Sequence, residues 1–269
     1  MYKLLLLLMP LLLTAALFKT AVISVDSKKV ITEKVPFNIG ATGFIVHAID
    51  SGHITITNKV TLIAHENNHS IFTEAPFIQI KQSYLPSFTY ESERNDTLIL
   101  GFGYDRAMLI APNEKSYYTI TEAIQGVTWV HPDLFATFLS RQGHPSPTDE
   151  DIKSFCQISE IGLLYIFVQG ALNTLDCQSL HLLQLTAIAE RESTMHTSMR
   201  PFYSRIEEID EAWFGKGSSP MDDYERFYVE KLLENSPDSI SLIQYISNHD
   251  TNLSDIIAPY LKKLESPKE

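Results

Sequence analysis

The sequence predicts an α+β protein in three parts. These are a small N-terminal antiparallel β unit, a central α+β domain with a disulfide-linked hairpin, and a helical C-terminal tail. Three observations predict it. Residues 21–75 alternate polar and apolar side chains and are rich in β-branched types, the period of half-buried strands. From about residue 95, strand-like and helix-like stretches alternate. After about residue 185, apolar residues recur at helical spacing. The expected divisions are a signal peptide over 1–20, a β-rich unit over 21–95, an α+β domain over 96–185 and an acidic helical tail over 186–269.

The chain opens with Lys3, an unbroken apolar run over 4–13, and then the small residues Thr14, Ala15 and Ala16. That order of charged, apolar and small residues is that of a secretory signal peptide. The run is short for a membrane span, which needs about 20 apolar residues. A cleaved leader is therefore preferred to a retained anchor, with the cut expected between Ala16 and Thr20. The mature chain is expected to be exported, to the periplasm or the cell surface.

Within the β unit, residues 21–25, 29–35, 43–49, 53–57 and 59–65 each read as strands. Asp50-Ser51-Gly52 and Glu66-Asn67-Asn68 read as turns between them. Gly40 and Gly43 suit a tight corner or bulge. Short strands joined so closely predict a small antiparallel sheet or barrel.

In the central part, 97–102 and 106–111 read as strands. Pro112-Asn113 starts a helix reaching about Ile124, 128–130 is a short strand, and Pro132-Asp133 starts a helix ending near Arg141. Thr148 and Asp151 have the spacing of a capping box for the next helix. Residues 161–168 and 171–177 then form a hairpin about Gly170. In the tail, one stripe is Ile206, Ile209 and Trp213. A second, after a Ser219-x-x-Asp222 cap, is Tyr224, Phe227 and Leu232. A third is Ile256, Ile257, Tyr260, Leu261 and Leu264.

Composition excludes several classes of function. The chain of 269 residues holds 33 acidic and 21 basic residues, a formal charge of −12. Phosphate neutralisation needs clustered Lys and Arg, so nucleic acid is not an expected partner. Two cysteines build neither a disulfide-dense scaffold nor a four-Cys zinc site. In an exported chain a single pair reads most simply as a disulfide. The hairpin folds Cys177 back toward residues 161–162, and Cys156 ends the helix just before. Closing that loop is worth about 3 kcal/mol. The rival reading is a reactive cysteine, but no nucleophile signature surrounds either residue.

The catalytic and cofactor patterns fail in context. His65-Glu66-Asn67-Asn68-His69 matches H-E-x-x-H, whose chemistry needs a helix that sets both His on one face for zinc, with Glu66 as base. Adjacent Asn residues are poor helix formers, and Val60, Leu62 and Ala64 alternate into the motif, so a hairpin turn is expected there. Gly215-Lys216-Gly217-Ser218-Ser219 lacks the upstream Gly of a phosphate loop, and Gly101-Phe102-Gly103 lacks the third Gly of a dinucleotide loop. No G-x-S-x-G elbow is present. No catalytic residue, metal site or cofactor is therefore assigned. His131-Pro132-Asp133 and Gly143-His144-Pro145 sit in loops, where turn and cap chemistry accounts for them. Asn68, Asn95 and Asn252 open N-x-[ST] sequons, each with an acid two residues before (Glu66, Glu93 and Asp250). That longer form resembles the bacterial glycosylation sequon of campylobacters.

Longer blocks carry a family resemblance. They include the run from Tyr104 to Asn113 (YDRAMLIAPN), Trp129-Val130-His131-Pro132-Asp133-Leu134-Phe135, and Leu139-Ser140-x-x-Gly143-His144-Pro145-Ser146-Pro147. Phe155-Cys156, Gly162-Leu163-Leu164-Tyr165 and Leu175-Asp176-Cys177-Gln178-Ser179 follow, with Gly43-Phe44-Ile45-Val46-His47 and Leu85-Pro86 upstream. Over about residues 21–185 the chain resembles the PgbA-type plasminogen-binding proteins of the Helicobacter–Campylobacter group. The resemblance implies an exported, envelope-associated protein with no catalytic residues and host plasminogen as partner. Plasminogen kringles recognise lysine side chains, which makes Lys262, Lys263 and Lys268 the candidate contacts.

Two other readings stand beside this one. Residues 191–269 hold 15 acids and 9 bases, against 18 and 12 in the first 190, so the tail is the more acidic part per residue. Its apolar stripes either close a core or fill a partner's groove. A docking tail would suit a periplasmic structural component of an envelope machine such as the polar flagellar motor. The minor reading is a zinc hydrolase built on His65, Glu66 and His69.

Overall fold

The structure is a computed structural model. It describes residues 17–77, 91–188, 200–206, 208–209, 218–249 and 253–265. The described residues form an α+β fold whose first unit is a closed antiparallel barrel. Its strands are β1 (Phe18–Asp26), β2 (Lys29–Glu33), β3 (Thr42–Ala48), β4 (Ile54–Glu66), β5 (His69–Pro76) and β6 (Thr97–Leu100). They pair in the order β1-β2-β5-β4-β3-β6, and β6 returns to β1.

The alternation read from the sequence points one face of each strand inward. Val22, Val30, Val35, Ile45, Val60, Leu62, Phe72, Leu98 and Leu100 fill the barrel. Each such side chain stabilises by roughly 1.5–3 kcal/mol when fully buried. Two of the turns are two-residue turns with positive φ at both positions, Ser27-Lys28 and Asn67-Asn68. Asn tolerates this region well, which is why the Asn pair marks a hairpin.

Two sequence expectations are corrected in the barrel, and the expected Asn hairpin gains its second strand. Residues 53–57 and 59–65 are not two strands but the single strand β4. A bulge on its pairing with β3 puts Thr57 and Asn58 both inward, so alternation breaks while the strand continues. The stretch after the Asn turn is a full strand, β5, paired on both sides. Finally, β6, read as the first strand of the central domain, is the staple that closes the barrel between β1 and β3. Both glycines expected at corners have steric reasons. A Cβ on Gly40, whose φ is +94°, would sit 2.2 Å from the His181 Cβ, and one on Gly43 would sit 2.2 Å from the Ile99 carbonyl oxygen.

The second unit is a five-stranded sheet. It runs through β7 (Arg106–Ile110), α1 (Glu114–Ala123), β8 (Thr128–Val130), α2 (Pro132–Gln142), α3 (Asp149–Ile158), β9 (Leu163–Val168), β10 (Ala171–Asp176) and β11 (Leu182–Ala187). The spatial order is β11-β10-β9-β7-β8, with β8, β7 and β9 parallel and the rest antiparallel. Strand β9, and β7 after Arg106, are buried on both faces, which explains their apolar sequence. One face meets Tyr117 and Ile120 of α1. The other meets α2 and α3, together with α4 (Tyr224–Asn235), α5 (Ile240–His249) and α6 (Ser254–Glu265).

The expected caps of the central helices form. Asn113 accepts from the Ser116 amide, and Thr148 and Asp151 make the reciprocal box. The cap of α4 is Asp223, not the Ser219-x-x-Asp222 pattern, because the Asp223 carboxylate reaches the Arg226 amide at 2.8 Å. Strand β11, for which the sequence reading names no strand, straddles the expected boundary at residue 185 between the α+β domain and the tail. It is held there by pairing with β10 from Ala171↔Ala187 to Leu175↔Leu182. Helix α5 was not anticipated as an element. Ile206 and Ile209, expected on a helix, lie in irregular chain, and Trp213 lies outside the described residues. The stripes of α4 and α6 close the core, except for Leu264, which is 38% exposed. Tyr224, Leu232 and Ile257 are each about 1% exposed and pack with Leu242, Ile243 and Ile246 of α5.

Candidate functional site

Three regions could carry function, and each is built by local chemistry. The first is the junction between barrel and sheet, centred on Asp176 at the end of β10. Its side chain is completely buried. One carboxylate oxygen accepts from the Thr42 amide (3.0 Å), the Thr42 hydroxyl (2.7 Å) and the Tyr104 hydroxyl (2.8 Å). The other accepts from the Gln178 and Ser179 amides, both at 2.9 Å. Burial and the neighbouring Asp176 push the Tyr104 phenol well above its ordinary range. Around this hub Asn38 donates to the Leu183 carbonyl, and Ser179 donates to the Gly40 carbonyl. Next to it, Cys177 is bonded to Cys156 of α3 with Cα atoms 5.9 Å apart. The hairpin thus does bring the two sulfurs together. Sequence reasoning missed Asp176 because a buried carboxylate in a strand has no local signature.

The second region is the carboxyl end of the parallel strands. The connection β7–α1–β8 covers one face, and β8–α2–α3–β9 returns over the other. In such sheets the crevice between the two strands where the crossovers diverge, here β7 and β9, is the usual ligand site. This chain fills it with its own helix α4. The Tyr224 hydroxyl donates to the Phe167 carbonyl at 2.9 Å and lies 3.4 Å from the Ile110 carbonyl. Glu225, buried, accepts from the Gln169 amide at 2.7 Å, and the Tyr245 hydroxyl donates to the Gln169 carbonyl at 3.0 Å. Burial pushes the Tyr224 phenol well up, with Tyr228 and Glu225 adding to it. The contact is tertiary, so no sequence pattern announces it.

Beside the crevice, His131 caps α2 by accepting the Asp133 amide at its Nδ1. Its ring lies 5.3 Å from that of Tyr117 and 6.3 Å from that of Tyr203. Burial raises the Tyr117 phenol to about 12. Although partial burial opposes it, hydrogen bonds from Arg205 and Ser204 hold the Asp133 carboxyl below its ordinary value. His144 Nδ1 lies 2.7 Å from Asp151, tying the Gly143 loop to the α3 cap. The cap that the sequence reading gives to Asp133 is thus supplied by His131, while the Asp133 carboxylate accepts from Ser204 and Arg205.

The third region collects the remaining sequence candidates. His65 and Glu66 end β4, and His69 opens β5 across the Asn67-Asn68 turn. His65 is paired with the Phe37 carbonyl and the Ser70 hydroxyl, each at 2.9 Å, and His69 with the Asn67 carbonyl. The helix that zinc chemistry needs at this motif is replaced by a hairpin. Among the described residues, no group of three or more His, Cys, Asp or Glu converges as a metal site. Asn68 and Asn95 are exposed in tight turns with φ of 64° and 72°, and Asn252 lies outside the described residues. Lys262 and Lys263 are exposed in the last turn of α6. The Lys263 ammonium lies 2.8 Å from Asp238, a pair 60% and 79% exposed and so of little energetic weight. Lys268 lies outside the described residues.

A family model described as the plasminogen-binding protein pgbA N-terminal region matches residues 17–233, from the start of the barrel into α4. Two relatives, each named plasminogen-binding protein PgbA and from two strains of Helicobacter pylori, are 29% identical over 178 residues. The match covers 66% of this chain and 38% of each relative, so it spans well under half their length. No solved structure matches significantly. With four-fifths of the chain inside the matched region, the protein belongs to the family defined by the N-terminal region of plasminogen-binding protein PgbA.

Proposed function

We propose that this chain is an exported, non-enzymatic envelope or surface protein that binds host plasminogen through lysine side chains. The observation that carries the reading is family membership, since the matched family and both relatives are named for plasminogen binding. The filled crevice supports the non-enzymatic part. Tyr224, Glu225 and Tyr245 occupy the place where this sheet topology would seat a small substrate. The leader-like residues 1–16 support export, and no helix among the described residues is long and apolar enough to cross a membrane. Lys262 and Lys263 are the first contacts to test, with Lys268 the third. All three lie beyond the matched residues, and Lys262 and Lys263 are exposed on α6. Exposed turn positions make Asn68 and Asn95 acceptors for an N-linked glycan, with Asn252 the third sequon.

The test compares the mature protein with a Lys262→Gln/Lys263→Gln variant for binding to immobilised plasminogen. The reading predicts at least a tenfold loss, about 1.4 kcal/mol. Equal affinity would take the contact away from α6.

A further inference from the structure

We propose that the mature chain begins at Leu17, with the Ala16–Leu17 peptide bond as the processing site of the leader. The inference rests on the export reading, and it sharpens the interval between Ala16 and Thr20 to a single bond. Two independent constraints meet there.

The first is local chemistry. Leader cleavage requires small side chains one and three residues before the cut. Residues 13–21 read LTAALFKTA. A cut after Ala16 places Ala16 and Thr14 at those positions. A cut after Ala15 places Leu13 three before. Cuts after Leu17, Phe18 or Lys19 place a large residue next to the bond. Cuts after Thr20 and Ala21 place Phe18 and Lys19 three before. One register satisfies both positions.

The second is the closure of the barrel. Strand β1 begins at Phe18 and meets β6 through Phe18↔Leu100, Lys19↔Ile99, Thr20↔Leu98 and Ala21↔Thr97. Phe18 also packs against the barrel core, its ring 5.9 Å from that of Phe37. Phe37 in turn touches Tyr104, the residue that donates to Asp176. A cut after Thr20 would delete three of these four pairs and the Phe18 ring. The β1–β6 seam would then present unpaired backbone groups, the open edge that a barrel exists to abolish. A cut after Ala16 keeps every pair. It leaves only Leu17, 51% exposed, ahead of the strand.

The reaction is hydrolysis. Water adds at the Ala16 carbonyl, the bond to the Leu17 nitrogen breaks, the leader keeps the Ala16 carboxylate, and the mature chain gains the Leu17 ammonium. The catalyst is a membrane leader peptidase acting on the translocating chain. With one residue between bond and strand, cleavage precedes barrel closure.

The experiment expresses the full chain in an exporting bacterial host and separates envelope from cytosol. Each fraction is read by intact mass and N-terminal sequencing. The expected envelope species begins at Leu17. Ala16→Phe is expected to hold the chain in its uncleaved form, and Ala21→Leu to leave processing unchanged. An envelope species beginning at Ala21, or anywhere inside β1, overturns the proposal. One beginning at Met1 in the envelope overturns cleavage while leaving export intact. One beginning at Met1 and confined to the cytosol removes the export reading and the proposal together.

Discussion

Replacing Asp176 by alanine would remove the acceptor that joins the barrel to the sheet. The carboxylate accepts five hydrogen bonds, from Thr42 twice, Tyr104, Gln178 and Ser179. The Gln178 and Ser179 amides are half-buried, so water replaces their acceptor once the side chain is cut back. The Thr42 hydroxyl can turn to another partner. The Tyr104 hydroxyl, on a side chain 3% exposed, cannot. That stranded donor costs about 1–3 kcal/mol, and losing the other four bonds to a charged acceptor raises the loss to about 4 kcal/mol. That agrees with the roughly 3–5 kcal/mol typical of breaking a buried charged network. With a urea slope of about 3 kcal/mol/M, the unfolding midpoint falls by about 1.3 M. A cycle with Thr42→Val should return a coupling on the order of 1–2 kcal/mol. A midpoint shift under about 0.3 M would exclude the carboxylate as the main tie. It would mean that the junction is held by apolar contacts around Phe37 and not by this carboxylate.

Three further outcomes follow from the same structure. The double variant Cys156→Ala/Cys177→Ala should lose about 3 kcal/mol by the loop-closure estimate. For a domain of this size that is about 6–12 °C in Tm, read by calorimetry. Tyr224→Phe should cost about 1–2 kcal/mol in urea unfolding, because it strands the Phe167 carbonyl in the filled crevice. No loss would mean that the hydroxyl is not what seats α4. Asp149 gives a pH-dependent effect. Partial burial favours its neutral form, but hydrogen bonds from Lys231 and Asn235 outweigh this and hold its carboxyl below the ordinary value. A depressed carboxyl contributes stability above its unfolded value, about 3.9, and loses it as pH falls through the folded one. Asp149→Asn should therefore cost up to about 1 kcal/mol at neutral pH, a gap that narrows as pH falls below about 3.9 and closes through the folded value. A gap that stays constant between urea titrations at pH 7 and pH 3 would show that the pair is not electrostatic.

How much of this was legible in the sequence depended on whether the cause was local. The barrel's inward residues were, since Val60, Leu62 and their neighbours alternate with polar positions. The Asn67-Asn68 hairpin was also readable, because positive φ at two successive positions selects Asn. So was the disulfide, because a two-residue turn at Gln169-Gly170 fixes where Cys177 returns. Closure was not. Residues 97–100 read as a strand but carry nothing that says their partners are β1 and β3. The bulge at Thr57 disguised one long strand as two. Strand β11 is a short apolar run, which periodicity cannot tell from the start of a helix. The crevice plug escaped altogether. Tyr224 looks like any apolar helix position, and only the sheet's crossovers give its place a meaning.

Plasminogen binding through lysines is the proposal on which the functional reading rests. The most direct test is a titration of purified plasminogen against the mature protein, with and without a lysine analogue that competes for the kringles. Saturable binding at micromolar concentration or below, abolished by the analogue, is the expected result. No saturable binding in that range, or binding that the analogue leaves untouched, would contradict it.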